Sequence, residues 1–212
     1  MRSSILFVLA ALSTGAVAVP AAAQTIQEQA ARCTDENNTS IDDIMASCTA
    51  VIASGQVTGS DLSKVYESRA FAFDFKNDTD HAIADYEVAL RLKPDNAELY
   101  EELCEIRADN PTTELDRART ECGEALQRND VDADHILITR GLVGLKQKRF
   151  QDAWNDFDAA LKLNGAKDMC LYGRGFAEMQ LGRTSEGHAD IAAAESITSD
   201  IAGDFAEAGV SR

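Results

Sequence analysis

The chain repeats itself, and that repeat restricts its fold more than any other feature. A bulky residue followed three places later by Ala occurs as Tyr86/Ala89, Cys122/Ala125, Phe157/Ala160 and Ile191/Ala194. The four alanines are 36, 35 and 34 residues apart. Four places before each bulky residue stands a small one: Ala82, Ala118, Ala153 and Gly187. Upstream, Arg precedes a small residue as Arg69-Ala70, Arg140-Gly141 and Arg174-Gly175, the last two 34 residues apart. A period of this length marks supersecondary units that cannot bury an apolar face alone and stack on their neighbours.

Each unit contains two helical patterns. In SKVYESRAFAFDF, Val65, Tyr66, Arg69, Ala70 and Phe73 recur at helical spacing, and in DHAIADYEVALRL Ala82, Ile83, Tyr86, Ala89 and Leu90 do the same. Those spacings put one face of each helix against a neighbour, and they leave Asp85 off that face. Pro94 in KPDN ends the second helix, because it cannot continue one. Asp78-Thr79-Asp80 offers an N-cap in the turn between the two. With only three prolines and a surplus of Ala, Leu, Asp and Glu, the composition suits helices far better than strands.

A helix–turn–helix unit of this length and small/large pattern resembles the tetratricopeptide repeat. Within 63–96 the family's large positions match Tyr66, Phe73 and Tyr86, its small positions Ala70, Ala82 and Ala89, and its terminal proline Pro94. The unit at 134–167 matches through Gly141, Ala153, Phe157 and Ala160, with Asn164-Gly165 in place of the proline. The unit at 168–198 matches through Gly175 and Ala194, and more weakly through Gly187 and Ile191. The unit at 97–133 is degenerate: it keeps Tyr100, Leu103, Ala118 and Ala125, has Cys104 and Cys122 at core positions, and carries a short insertion around Pro111. Residues 24–62 read as a divergent first hairpin, with Ile44, Cys48 and Val51 on the core spacing, and 199–212 as a capping helix. The resemblance implies an all-α solenoid of stacked hairpins.

Residues 1–23 read as a secretory signal. Arg2 supplies the charged start, Ile5 to Leu12 an apolar run shorter than a membrane span, and Ala21-Ala22-Ala23 a small-residue cleavage site. The expectation is an exported protein, periplasmic or secreted, that does not span a membrane. The formal net charge of −16 with no basic stripe argues against nucleic acid as a partner.

Export would permit disulfides. On the repeat alignment Cys104 and Cys122 lie on facing surfaces of one unit, and Cys33 and Cys48 span the first hairpin, so both pairs are expected to be bonded. Each such loop would stabilise by roughly 3 kcal/mol. The alternative is reduced core cysteines. Cys170 is left over near the start of a first helix, where a buried thiol is the simplest reading.

Catalytic patterns do not assemble. His81, His135 and His188 stand in no metalloprotease or triad motif and read as surface residues. DVDADH imitates a calcium loop through Asp130, Asp132 and Asp134, but His135 stands where that loop needs Gly and Gly141 where it needs Glu. No cofactor or metal is expected. Asn37, Asn38 and Asn77 begin glycosylation triplets that matter only in a eukaryotic source. Gly173-Arg174-Gly175 opens like a dinucleotide loop, yet Glu178 occupies the place of its third glycine and one helical pattern runs through the segment.

The resemblance also implies a binding groove lined by first helices. Its positions match Lys64, Glu67, Phe71, Asp74 and Phe75 in one unit, and Glu98, Glu101, Glu105 and Asp109 in the next. They continue with Ile138, Leu142, Leu145 and Lys146, and end with Met169, Tyr172, Phe176 and Met179. Such a groove is acidic with two Phe at one end and apolar at the other. It would take a peptide or protein segment with apolar anchors, and basic residues would suit its acidic end. The expected function is a noncatalytic interaction scaffold of the cell envelope. The competing readings are a structural or self-associating spacer and a metal- or thiol-dependent enzyme.

Overall fold

The computed structural model describes residues 21–35, 40–109, 114–128 and 132–210. Eleven helices and no strand occur among them. In chain order these are α1 (Ala21–Cys33), α2 (Ile41–Ser54), α3 (Gly59–Phe75), α4 (Thr79–Leu92), α5 (Ala97–Asp109) and α6 (Leu115–Leu126). They continue as α7 (Ala133–Lys146), α8 (Phe150–Lys162), α9 (Lys167–Gln180), α10 (Thr184–Ile197) and α11 (Ile201–Glu207). Helices α1 to α10 pair as five successive hairpins. Each even helix also packs on the next odd one, and α5, α7 and α9 touch in sequence, so odd helices form one layer and even helices the other. Most of the leader and the insertion around Pro111 lie outside the described residues, and α1 runs through the cleavage site expected after Ala23.

The turns explain how the hairpins close. Asp78 accepts a hydrogen bond from the His81 amide and caps α4, as Ser40 caps α2 through the Asp43 amide at 3.2 Å. Seven residues after the small residues Ala70, Gly141 and Gly175 stand Asn77, Lys148 and Gly182. All three have left-handed backbones, with φ of 59°, 59° and 81°. One tight turn recurs; it suits Gly182, and the two side chains adopt it at some cost.

The small/large pattern is a contact. A Cβ added at Gly141 would lie 2.9 Å from the Phe157 ring, and one at Gly173 would lie 2.4 Å from it. Two helices therefore sandwich one buried ring. Gly175 and Gly187 bring α9 and α10 so close that a Cβ on either would strike the other's carbonyl oxygen, at 2.8 and 2.7 Å. The glycines of GRGFA are packing residues, and α9 continues through them.

A second recurrent contact was half visible in the sequence. Arg69 Nε and Nη2 donate to the two oxygens of Asp85 at 2.6 and 2.9 Å. Arg140 makes the same fork to Asp156, and Arg174 to Asp190. Each Asp follows its Arg by sixteen residues and precedes the bulky residue of the second helix by one. Asp85, expected off the core face, is buried at 6% exposure beneath its Arg. The remaining Nη1 reaches the preceding unit: Thr49 for Arg69 at 3.3 Å and Asp158 for Arg174 at 2.8 Å. Arg140 finds only Gly123 at the corresponding place.

The unit spanning α5 and α6 replaces both devices. Cys104 takes the small residue's place, Cys122 the ring's, and the two are disulfide-bonded. Cys33 and Cys48 are bonded at the corresponding contact of the first hairpin. Leu103 stands where other units have Arg, and Arg107, one turn later, is wholly buried. It donates to Glu87, Glu114 and Glu121, the last of which matches the conserved-spacing aspartates of the other units.

Candidate functional site

The first helices place matching positions in columns along one layer. One column runs Glu67, Glu101, Ile138, Tyr172; the next runs Phe71, Glu105, Leu142, Phe176. Their environments divide between the second and third of these units. On α3 and α5, Phe71, Asp74, Phe75, Glu98 and Asp109 are exposed, and Glu67, Glu101 and Glu105 are half-buried. Phe75 is the most open large apolar side chain of the described residues, at 67% exposure.

The carboxylates here crowd one another. Although Asp74 is exposed overall, partial desolvation of its carboxylate, reinforced by the charge of Asp109, raises its pKa. Burial and then the charge of Glu105 raise that of Glu101. Burial also raises Glu105, against the pull of His135, whose Nε2 lies 2.8 Å from its carboxylate. Glu102 accepts from the Tyr86 hydroxyl at 3.1 Å. Desolvation on that side and the neighbouring charges push Glu102 up to about 7. Cations near this region include Lys64, Lys93, His135 and Lys146, and Lys146 already donates to the Ala108 carbonyl at 2.5 Å. A cleft of about 290 Å³ lies between α5 and α7, lined by Glu105, Asp109, His135, Leu142 and Lys146 among others.

On α7 and α9 the same columns are not open. Ile138, Leu145, Tyr172 and Phe176 are buried, and Leu142, Met169 and Met179 are half-buried beside them. The chain's own tail contributes to the cover. Phe205 of α11 stacks at a tilt 4.6 Å from the Tyr172 ring, and Ile201 and Val210 join the same cluster. The sequence identified α11 as an end cap; its placement across the first-helix face was not readable from it.

Other candidates carry no arranged chemistry. Cys170 is buried and its thiol is pushed up to about 11 by desolvation, so it is protonated at neutral pH. His81 stacks on Phe73 and pairs with Asp78, and His188 is exposed. Among the described residues no group of three or more His, Cys, Asp or Glu could hold a metal ion, and no helix is long and apolar enough to cross a membrane. Asp130 of DVDADH, and Asn37 and Asn38, lie outside the described residues.

No protein-family model and no curated protein matches the chain. Solved structures do. MamA protein is 14% identical, with a TM-score of 0.71 over 84% of this chain and 94% of its own. YrrB, described as a TPR protein with an unusual peptide-binding site, is 16% identical, with a TM-score of 0.68 over 85% and 93%. A tetratricopeptide repeat protein from Parabacteroides merdae is 17% identical, with a TM-score of 0.67 over 82% and 65%. Identities this low speak to architecture alone, and on that ground the chain has the fold of a tetratricopeptide-repeat solenoid.

Proposed function

We propose that this protein is a noncatalytic interaction scaffold of the cell envelope that binds a basic peptide or protein segment on the α3–α5 half of its first-helix face. The observation that carries this reading is the row of carboxylates around two exposed Phe side chains. Asp74, Glu98, Glu101, Glu105 and Asp109 stand close enough for their charges to act on one another. Like charges held at close quarters cost free energy, which a cationic ligand relieves. Phe71 and Phe75 supply the apolar anchor that charge alone lacks. The leader pattern and two disulfides fit an oxidising compartment outside the cytoplasm. The peptide-binding description of YrrB supports the same use of the fold.

A fluorescein-labelled amphipathic peptide of Lys and Leu, against a matched peptide of Glu and Leu, tests this by anisotropy. The Lys peptide should bind in a salt-sensitive manner, and Glu101→Lys/Glu105→Lys should weaken it by about tenfold or more. The control Asp80→Lys/Glu186→Lys makes the same charge change on exposed second-helix positions. Equal weakening by both pairs would show general attraction to an acidic surface and defeat the site assignment.

A further inference from the structure

The tail is more than an end piece. α11 packs on α9 and α10, as a helix closing the stack does, and the tail also reaches side chains of earlier helices. Here Phe205 lies 4.6 Å from Tyr172 on the first-helix face and 6.4 Å from Phe157 of α8, one unit earlier. A Cβ built at Gly209 would lie 3.6 Å from Lys146 Cε, at the end of α7. The tail therefore crosses from α9 toward α7, along the apolar part of the columns whose acidic part faces water.

Its hold is slight for a core element. α11 has seven residues, well under the length at which helices persist unaided. Ile201, Phe205 and Val210 are its buried side chains, while Ala202, Asp204, Ala206 and Glu207 are exposed. No side chain caps it at Asp200, Gly203 sits within it, and Gly209 adopts a φ of 83°. Half-buried Met169 packs against the same cluster as Tyr172 and Phe176, and methionine adapts to ligands of differing shape.

We propose that residues 198–210 are an exchangeable occupant of this face. A partner segment carrying an aliphatic residue and, four places later, an aromatic one displaces the tail and docks on α7 and α9 as a short helix. Ile201 and Phe205 show the pattern that fits. The displaced state uncovers Tyr172 and the apolar side chains packed around Phe205, which extend the α3–α5 half along the same layer. This extends the proposed function, since it uses the same layer, but it does not need the partner to be basic.

The test uses the full-length chain and a labelled peptide of residues 198–212. In the wild type, amides of 201–207 should exchange with solvent at least about a hundredfold faster than those of α9, because the tail opens without global unfolding. In Ile201→Ala/Phe205→Ala the weakened tail should let the peptide bind in trans about tenfold more tightly than to the wild type. The same peptide with Ala at both anchor positions should not bind. Tail amides as protected as those of α9 overturn the proposal whatever the peptide does, and this readout stands even if the variant fails to fold. Fast tail exchange without trans binding to a folded variant overturns it as well. Binding of the Lys and Leu peptide, measured on the same variant, reports the α3–α5 reading separately.

Discussion

The two halves of the first-helix face occupy the same repeat positions and meet opposite fates. Glu67 and Glu101 are half-buried where Ile138 and Tyr172 are buried, and Phe71 and Glu105 occupy the positions of half-buried Leu142 and buried Phe176. Backbone geometry is shared, so side-chain chemistry makes the difference. Covering the carboxylates with an apolar helix would strip their water without supplying partners. Leaving Ile138, Leu145, Tyr172 and Phe176 uncovered would expose a contiguous apolar patch of the kind soluble proteins avoid. A solenoid can thus leave one part of its first-helix layer open and cover another, with no change in its helices.

The halves also hold together differently, and the largest expected effect probes that. Arg107→Met should destabilise the protein by about 3–5 kcal/mol in urea denaturation, because it leaves Glu121 buried without its cation. Arg140→Met, which removes a guanidinium that keeps 27% of its surface in water and serves one buried carboxylate instead of three, should cost less, about 1.5–3 kcal/mol. Similar losses would mean that the two halves do not differ in how they use charge.

A smaller effect concerns pH. The pKa of Glu102 is raised in the folded state, so its contribution favours the fold at low pH and is lost as pH rises through about 7. Asp74, Glu101 and Glu105 act in the same direction. The melting temperature should therefore fall between pH 5 and pH 7.5, and Glu102→Gln should flatten part of that slope. The expected share of Glu102 is below about 1 kcal/mol, since the side chain keeps a face in water. An unchanged slope in the variant would place the titration elsewhere. Acidification should also weaken binding of a basic peptide, since it neutralises these same groups.

The smallest effect would repair an asymmetry. Arg140 lacks the cross-unit partner that Asp158 gives Arg174, and Gly123 occupies that place with room for a side chain. Gly123→Asp should raise stability by about 0.5–1 kcal/mol, from helix propensity and a new ion pair. A loss of stability would show that the forks cannot be completed independently.

Much of this was legible in the sequence because it rests on spacing. The period, the paired helices, the small/large contacts and both disulfides follow from residues recurring at fixed distances. The Arg–Asp forks were present as a sixteen-residue spacing, but they join two helices, and a pattern taken one helix at a time leaves Asp85 outside. The left-handed turns at Asn77 and Lys148 gave no glycine to mark them. The first-helix columns were readable as positions, while exposure at α7 and α9 depends on where α11 comes to rest. IAGDFAE, with Ile201 and Phe205 on one side, shows that this side will be covered, and says nothing of the surface that covers it.

The disulfides have one further consequence. In the fourth hairpin a buried ring between glycines fills the contact between helices, and that filling is permanent. In the first and third hairpins the same contact is filled by sulfur chemistry, Cys33 to Cys48 and Cys104 to Cys122. Without an oxidant those hairpins would hold a pair of thiols where the others hold a ring and its seat. Two of the five hairpins thus need an oxidant to fill this contact, and they alternate with hairpins that fill it with side chains alone.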